Sequence, residues 1–287
     1  QRVVKIPRDY NTWVVNETLE DYALRFTPNR FRKWSAMQVA NTALGGAGSF
    51  LVLEAVGATM LVNFGYINTF WAILATALLV ILIGLPISHA AARYGLDMDL
   101  LTRGAGFGYI GSTITSLIYA SFTFIFFALE GAIMAYALEL AFHIPPSIGY
   151  LICALVVLPV VTHGVTAISR LQAWTQPIWL GLLVLPFTFL LTREPQVVRD
   201  LTRFAGINGD GGQFSMPLFG AALTMGVALV TQMGEQADYL RFMPARTAHN
   251  KGRWWLAVVV GGPGWIVPGV AKLFGGALLA FLALRNA

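Results

Sequence analysis

Charge is what this 287-residue sequence lacks most: 11% of its residues are Asp, Glu, Lys or Arg, against roughly 25% in a soluble domain. That scarcity excludes an ordinary soluble globule, and a 56% hydrophobic content excludes a disordered chain. Cysteine is nearly absent too. Cys153 stands alone, so a disulfide framework and any cysteine-based zinc or iron–sulfur centre are excluded. Lying in an apolar run, it reads as a small buried hydrophobe. His89, His143, His163 and His249 are scattered without metal-ligand spacing, so neither a metal nor another cofactor is expected. No nucleophile, base and orienting group fall together, so nothing here indicates an enzyme. What is present is apolar length, with a mean hydropathy of +0.66. The sequence reads as an integral membrane protein.

A spanning helix needs roughly 20 predominantly apolar residues. Seven stretches qualify, at 36–62, 69–89, 107–140, 148–163, 171–191, 214–234 and 254–284. The runs are continuous rather than alternating, which predicts helices and not the strands of a membrane barrel. The third and seventh exceed a simple span and are expected to tilt or to include interfacial turns. Pro263 and Pro268 predict a kink in the seventh.

Orientation follows from the 19 lysines and arginines. With the N-terminus in the cytoplasm, that side collects Arg2, Lys5, Arg8, Arg25, Arg30, Arg32, Lys33, Arg93, Arg103, Arg170, Arg241, Arg246, Lys251 and Arg253. The outer loops hold Arg193, Arg199 and Arg203, leaving Lys272 within the last span and Arg285 just past it. This satisfies the positive-inside rule. The net charge of +5 therefore speaks of topology and anionic lipid, not of nucleic acid. The polar start shows no cleavable signal-peptide pattern. The sequence opens at Gln1 and stops just after an apolar run, so a longer parent chain is expected.

The organisation expected is a cytoplasmic segment at 1–35, five spans at 36–191, an outer connection at 192–215 and two further spans at 216–287. The connection carries the turn-forming run Asn208-Gly209-Asp210-Gly211-Gly212. In inverted-repeat transporters such a join divides the two halves.

Several intramembrane residues could carry chemistry. Gly45, Gly46 and Gly48, followed by Ser49, weaken the first span as a helix by about 1 kcal/mol per glycine. A break there frees backbone groups for an ion or solute. The plainer reading is close helix packing. Glu54 and Glu130 are carboxylates inside spans, where each needs a partner or a wet cavity. Phe126 precedes Glu130 by one helical turn, so the two share a face. A ring and a carboxylate placed so can stack a planar heterocycle and accept its N–H groups; otherwise they are packing and a protonated structural residue. Gly226, with Ala228 and Leu229, is the corresponding weak point of the sixth span. After it come Glu235, Gln236, Asp238 and Arg241 at the cytoplasmic face. They form either a solvated helix end or a gate in which Asp238 and Arg241 can pair. The glycine-rich run 104–111 follows no strand and so fails as a nucleotide-binding loop; a hinge is expected there.

The run Asp97-Met98-Asp99-Leu100-Leu101-Thr102-Arg103-Gly104-Ala105-Gly106-Phe107-Gly108 resembles the loop before the third helix in the nucleobase:cation symporter-1 family of cytosine, purine, allantoin and hydantoin permeases. Gln236-Ala237-Asp238-Tyr239-Leu240-Arg241-Phe242 is similar to that family's Asn-x-x-Asp-Phe-Ser/Thr-Arg motif. Ser169-Arg170-Leu171-Gln172-Ala173-Trp174 is similar to the start of its fifth helix. The resemblance implies an all-α LeuT-type inverted-repeat fold, of which this chain holds about seven transmembrane helices as an N-terminal fragment. It implies that Gly45, Gly46 and Gly48 line a break, that Phe126 stacks the base, and that Glu130 stands where the family has a glutamine. The chain departs from the pattern in lacking a sixth-span tryptophan, with Ala228 or Leu229 near that place.

The runs 97–120 and 261–268, with Trp174-Thr175-Gln176-Pro177, also look like the permease-like N-terminal module of bacterial hybrid sensor histidine kinases. Two functions therefore stand. One is secondary active transport of a nucleobase-like solute by alternating access, with Na+ or H+ as the coupling ion and Glu54 or Glu130 as a proton or ion carrier. The other is a solute-sensing domain joined to kinase and receiver domains of the same polypeptide. In both, the partners are a small solute and the bilayer, and the setting is a bacterial inner membrane.

Overall fold

The computed structural model describes residues 26–286, and every regular element among them is helical. Arg2, Lys5, Arg8, Arg25 and most of the expected cytoplasmic segment 1–35 lie outside the described residues. The first helix, α1 (Ala36–Ser49), starts at Ser35, whose hydroxyl accepts the Gln38 N–H at 3.1 Å. It stops at Phe50, whose backbone is extended, and α2 (Val52–Tyr94) begins after Leu51. The first expected span is thus two short helices with a break in its middle.

Helix α2 is 43 residues long but does not run straight, because Gly65 adopts φ +72° and ψ 169°. A left-handed φ suits a residue without Cβ. Neighbours reveal the reversal. Before Gly65 the chain ascends alongside 254–286, with Val39 at Gly261, Phe50 at Lys272 and Gly57 at Leu273. After it the chain descends, with Phe70 at Phe274, Gly84 at Pro263 and Ser88 at Gly262. The two legs, 52–64 and 66–94, form a hairpin turned by one residue.

Next come α3 (Met98–Thr102), a bend through Arg103–Phe107 with Gly106 at its centre, and α4 (Gly108–Phe142). The glycine-rich run 104–108 is therefore a bend between helices, not a phosphate cradle. Helices α5 (Pro146–Thr162) and α6 (Gly164–Arg193) follow. The outer connection folds its own short helix, α7 (Gln196–Thr202). Beyond it, α8 (Met216–Val227) tightens into a 3₁₀ stretch (Ala228–Gly234) and continues as α9 (Glu235–Leu240). The last pair is α10 (Lys251–Gly261) and α11 (Ile266–Asn286), separated by a 3₁₀ turn (Pro263–Trp265) where the two prolines and their glycines fall.

Five helical runs are long and apolar enough to cross a membrane: Val52–Tyr94, Met98–Phe142, Gly164–Arg193, Met216–Leu240 and Pro263–Asn286. The chain is a multi-pass, all-α membrane-embedded protein. The difference from seven stretches has local causes. The first two are divided at Phe50 and Gly65, the fourth is the 17-residue α5, and the seventh is broken at Gly262.

Buried apolar side chains concentrate in α1, α2, α8, α10 and α11, with Leu53, Met60, Ile73, Leu229 and Leu273 at their centre. The flank built from α4, α5 and α6 is bare by contrast, with Leu117, Leu140 and Trp174 exposed. At one end of the molecule Thr27, Trp34, Gly95, Asp97, Arg241 and Met243 come together. At the other end, loop 204–213 closes over the hairpin, through Tyr66 N–H to Phe204 O at 2.8 Å and Ile207 N–H to Val62 O at 2.9 Å.

Candidate functional site

The break between α1 and α2 leaves backbone carbonyls and amides without helical partners in a largely apolar bundle. Two distant side chains take them up. Lys272, 1% exposed on α11, donates its ammonium to Gly48 O at 2.9 Å and Phe50 O at 2.8 Å. The same nitrogen lies 3.3 Å from Glu54 Oε1. Glu130, from α4, accepts the Val52 N–H at 3.0 Å and so caps the second helix at its N-terminus, where the helix dipole favours an anion. The second oxygen of Glu54 is buried without a hydrogen bond. One ammonium and two carboxylates therefore converge on one broken turn.

Close backbone packing makes this possible. A Cβ at Gly57 would meet the Leu273 carbonyl oxygen, and a Cβ at Gly276 would meet the Glu54 carbonyl. With glycine at both positions α11 lies backbone-to-backbone against the break, so the Lys272 arm reaches it. Beside the carboxylates, the Phe126 ring stacks on Phe50 with centroids 5.3 Å apart and lies 4.3 Å from Phe122.

Of the glycines proposed to line the break, Gly45 and Gly46 lie one turn earlier, still within α1. Gly45 packs on the Gln172 side chain of α6. The Gln172 amide, turned so that its oxygen accepts from Gly46 N–H at 3.2 Å, donates to Thr42 O at 3.3 Å. Gly48 contributes a carbonyl to Lys272, whereas Ser49 bonds back to Gly45 O at 3.0 Å. Gly226 abuts Thr76 on the descending leg, and the change to 3₁₀ geometry begins right after it, at Ala228. Leu229 is buried beside Met233, while Ala228 is exposed.

The other group of expected residues sits at the basic end. Gln236 is buried and donates to Gly84 O at 2.8 Å. Arg241 reaches Asp97 Oδ2 at 3.1 Å, with both side chains under a tenth exposed, and donates to Thr27 Oγ1 at 2.9 Å. Arg32 adds bonds to Met243 O at 2.9 Å and to Ala92 O. Segment 26–34 is thereby strapped across this end. Glu235 is exposed and Asp238 half-buried one turn before Arg241.

Neither Lys272 nor Asp97 is given a role at a site by the sequence alone. A signal for Lys272 existed: it is a cation in the interior of an apolar helix, and such a residue marks a functional place by default. No signal in the sequence names its acceptors. Among the described residues, no group of three His, Cys, Asp or Glu is placed to hold a metal. No family model matches the chain, and no curated protein or solved structure matches it either.

Proposed function

We propose that this chain is the solute-binding membrane module of a permease-type protein, arranged as the first inverted repeat and the beginning of the second in a LeuT-type fold. The observation that carries the reading is the broken first helix, whose freed backbone groups are held by charged side chains from two other helices. Broken helices at mid-membrane are where such transporters bind solute and ion. The 3₁₀ stretch Ala228–Gly234 is the corresponding weak segment of the sixth span and shares a cluster with Ala47 and Phe50.

The chemistry of the site favours a planar solute rich in N–H donors, as a nucleobase is. Phe126 and Phe50 offer aromatic faces, and Glu130 offers acceptor oxygens. An anionic solute is disfavoured, because the N-terminus of the second helix already holds the Glu130 carboxylate. The straps at the basic end form the cytoplasmic gate in this reading, with the N-terminus inside a bacterial inner membrane. Rocking of one bundle against the other would open and close it, with Na+ or H+ as the coupling ion.

The test is uptake of radiolabelled purine and pyrimidine bases by proteoliposomes containing the full chain. Glu130→Gln is expected to lower uptake at least tenfold and to flatten its pH dependence. Uptake unchanged by that substitution would remove Glu130 from the site. The sensing module of a histidine kinase is a second reading. It is favoured by Leu229 and Ala228, which present no ring to sandwich a base from the sixth span. A base that binds the protein but is never transported decides for sensing.

A further inference from the structure

Among the described residues, Lys272 is the largest of the fully buried side chains. Its ammonium carries three N–H donors and has three oxygen neighbours: Gly48 O at 2.9 Å, Phe50 O at 2.8 Å and Glu54 Oε1 at 3.3 Å. All three oxygens belong to the broken segment, and none belongs to α11, from which the lysine comes. An ion pair alone would need only the carboxylate. Here two of the three partners are backbone carbonyls freed by the break. Carbonyls plus one carboxylate, all oxygen and all converging, is the donor set that a hard monovalent cation uses in place of its water shell.

We propose that Lys272 is a tethered cation. Its ammonium occupies an alkali-ion position at the broken helix, so the protein carries that charge covalently and takes no free sodium or potassium there. The inference rests on reading the break as a binding site and adds which charge it holds and from where. Glu130, the other charged group at the break, is engaged with Val52 N–H and leaves these three oxygens to the lysine. Truncating the side chain vacates an oxygen-lined space that keeps the Glu54 carboxylate and the Gly48 and Phe50 carbonyls. A free alkali ion can enter it, whereas an apolar chain of the same length fills and blocks it.

The experiment is thermal unfolding of the full-length protein in detergent, without any solute, in NaCl, KCl and choline chloride of equal ionic strength. Wild type is expected to melt at the same temperature in all three salts. Lys272→Ala is expected to melt lower in choline and to regain about 5 °C or more in sodium or potassium, saturating with concentration. Lys272→Met is expected to melt lower in all three, with no alkali-specific gain. Recovery of folded Lys272→Ala only from alkali-containing buffer supports the proposal equally. A wild type stabilised by sodium or potassium over choline overturns it, as does a Lys272→Ala that gains nothing from either ion or folds in none of the salts. Because no solute is present, these melts read the cation position whether or not bases are transported.

Discussion

Asp97 and Arg241 show how much one buried pair can hold. They join the residues just before α3 to the end of α9, with side chains 6% and 7% exposed. Breaking a buried ion pair by removing one partner costs about 3–5 kcal/mol. Asp97→Asn is therefore expected to lower the melting temperature sharply. Combining it with Arg241→Met should restore part of the loss, and a double-mutant cycle of thermal melts measures the coupling. Neither single effect should depend on which alkali ion is in the buffer, which separates this pair from Lys272. The Asp97 side chain also caps α3 by accepting the Leu100 N–H at 2.8 Å, so part of the single-mutant loss is local.

Among the elements, the crossing of the first leg of α2 with α11 is the most constrained. Gly57 and Gly276 allow backbone contact that any side chain would prevent. Gly276→Ala is expected to force the helices apart at a cost of about 1–3 kcal/mol, read as a lower unfolding temperature. It should also draw Lys272 away from Gly48 and Phe50. At this scale the sequence was legible in part. Continuous apolar runs marked the helices, and the glycines before Ser49 marked a weak point in the first. The break itself lies beyond them, at Phe50 and Leu51, for a reason no local pattern holds. Gly45 and Gly46 stay helical because Gln172 of α6 packs on them, while the freed groups at the break are taken by Glu130 and Lys272, 78 and 222 positions from their partners Val52 and Phe50. The turn at Gly65 was similarly hidden. A lone glycine in an apolar stretch is ordinary, and only the carbonyls of 205 and 211 pressing on it show that no side chain fits.

Over the whole molecule, packing is uneven. Leu61 lies in a closed cluster with Ala277, Leu278 and Phe281, whereas Leu140 on the α4–α6 flank is 85% exposed. Leu61→Ala is expected to cost about 2 kcal/mol or more and Leu140→Ala close to nothing, by thermal melts of each variant. Sidedness can be checked against the same frame. In a protein whose Cys153 is replaced by Ser, an impermeant thiol reagent is expected to reach Asp210→Cys in intact cells, and Lys251→Cys only after permeabilisation. Labelling in the reverse pattern overturns the proposed orientation. The hairpin at Gly65 bears on how such a chain is made. Its turn is a single residue with no loop, so the legs 52–64 and 66–94 are expected to enter the bilayer together, as one inserting unit. Residues 204–213, which pin its tip, emerge from the ribosome well over a hundred residues later. Until they arrive the newborn hairpin is in the membrane with its apex unsecured, and that interval is when a chaperone or a neighbouring helix would have to guard it.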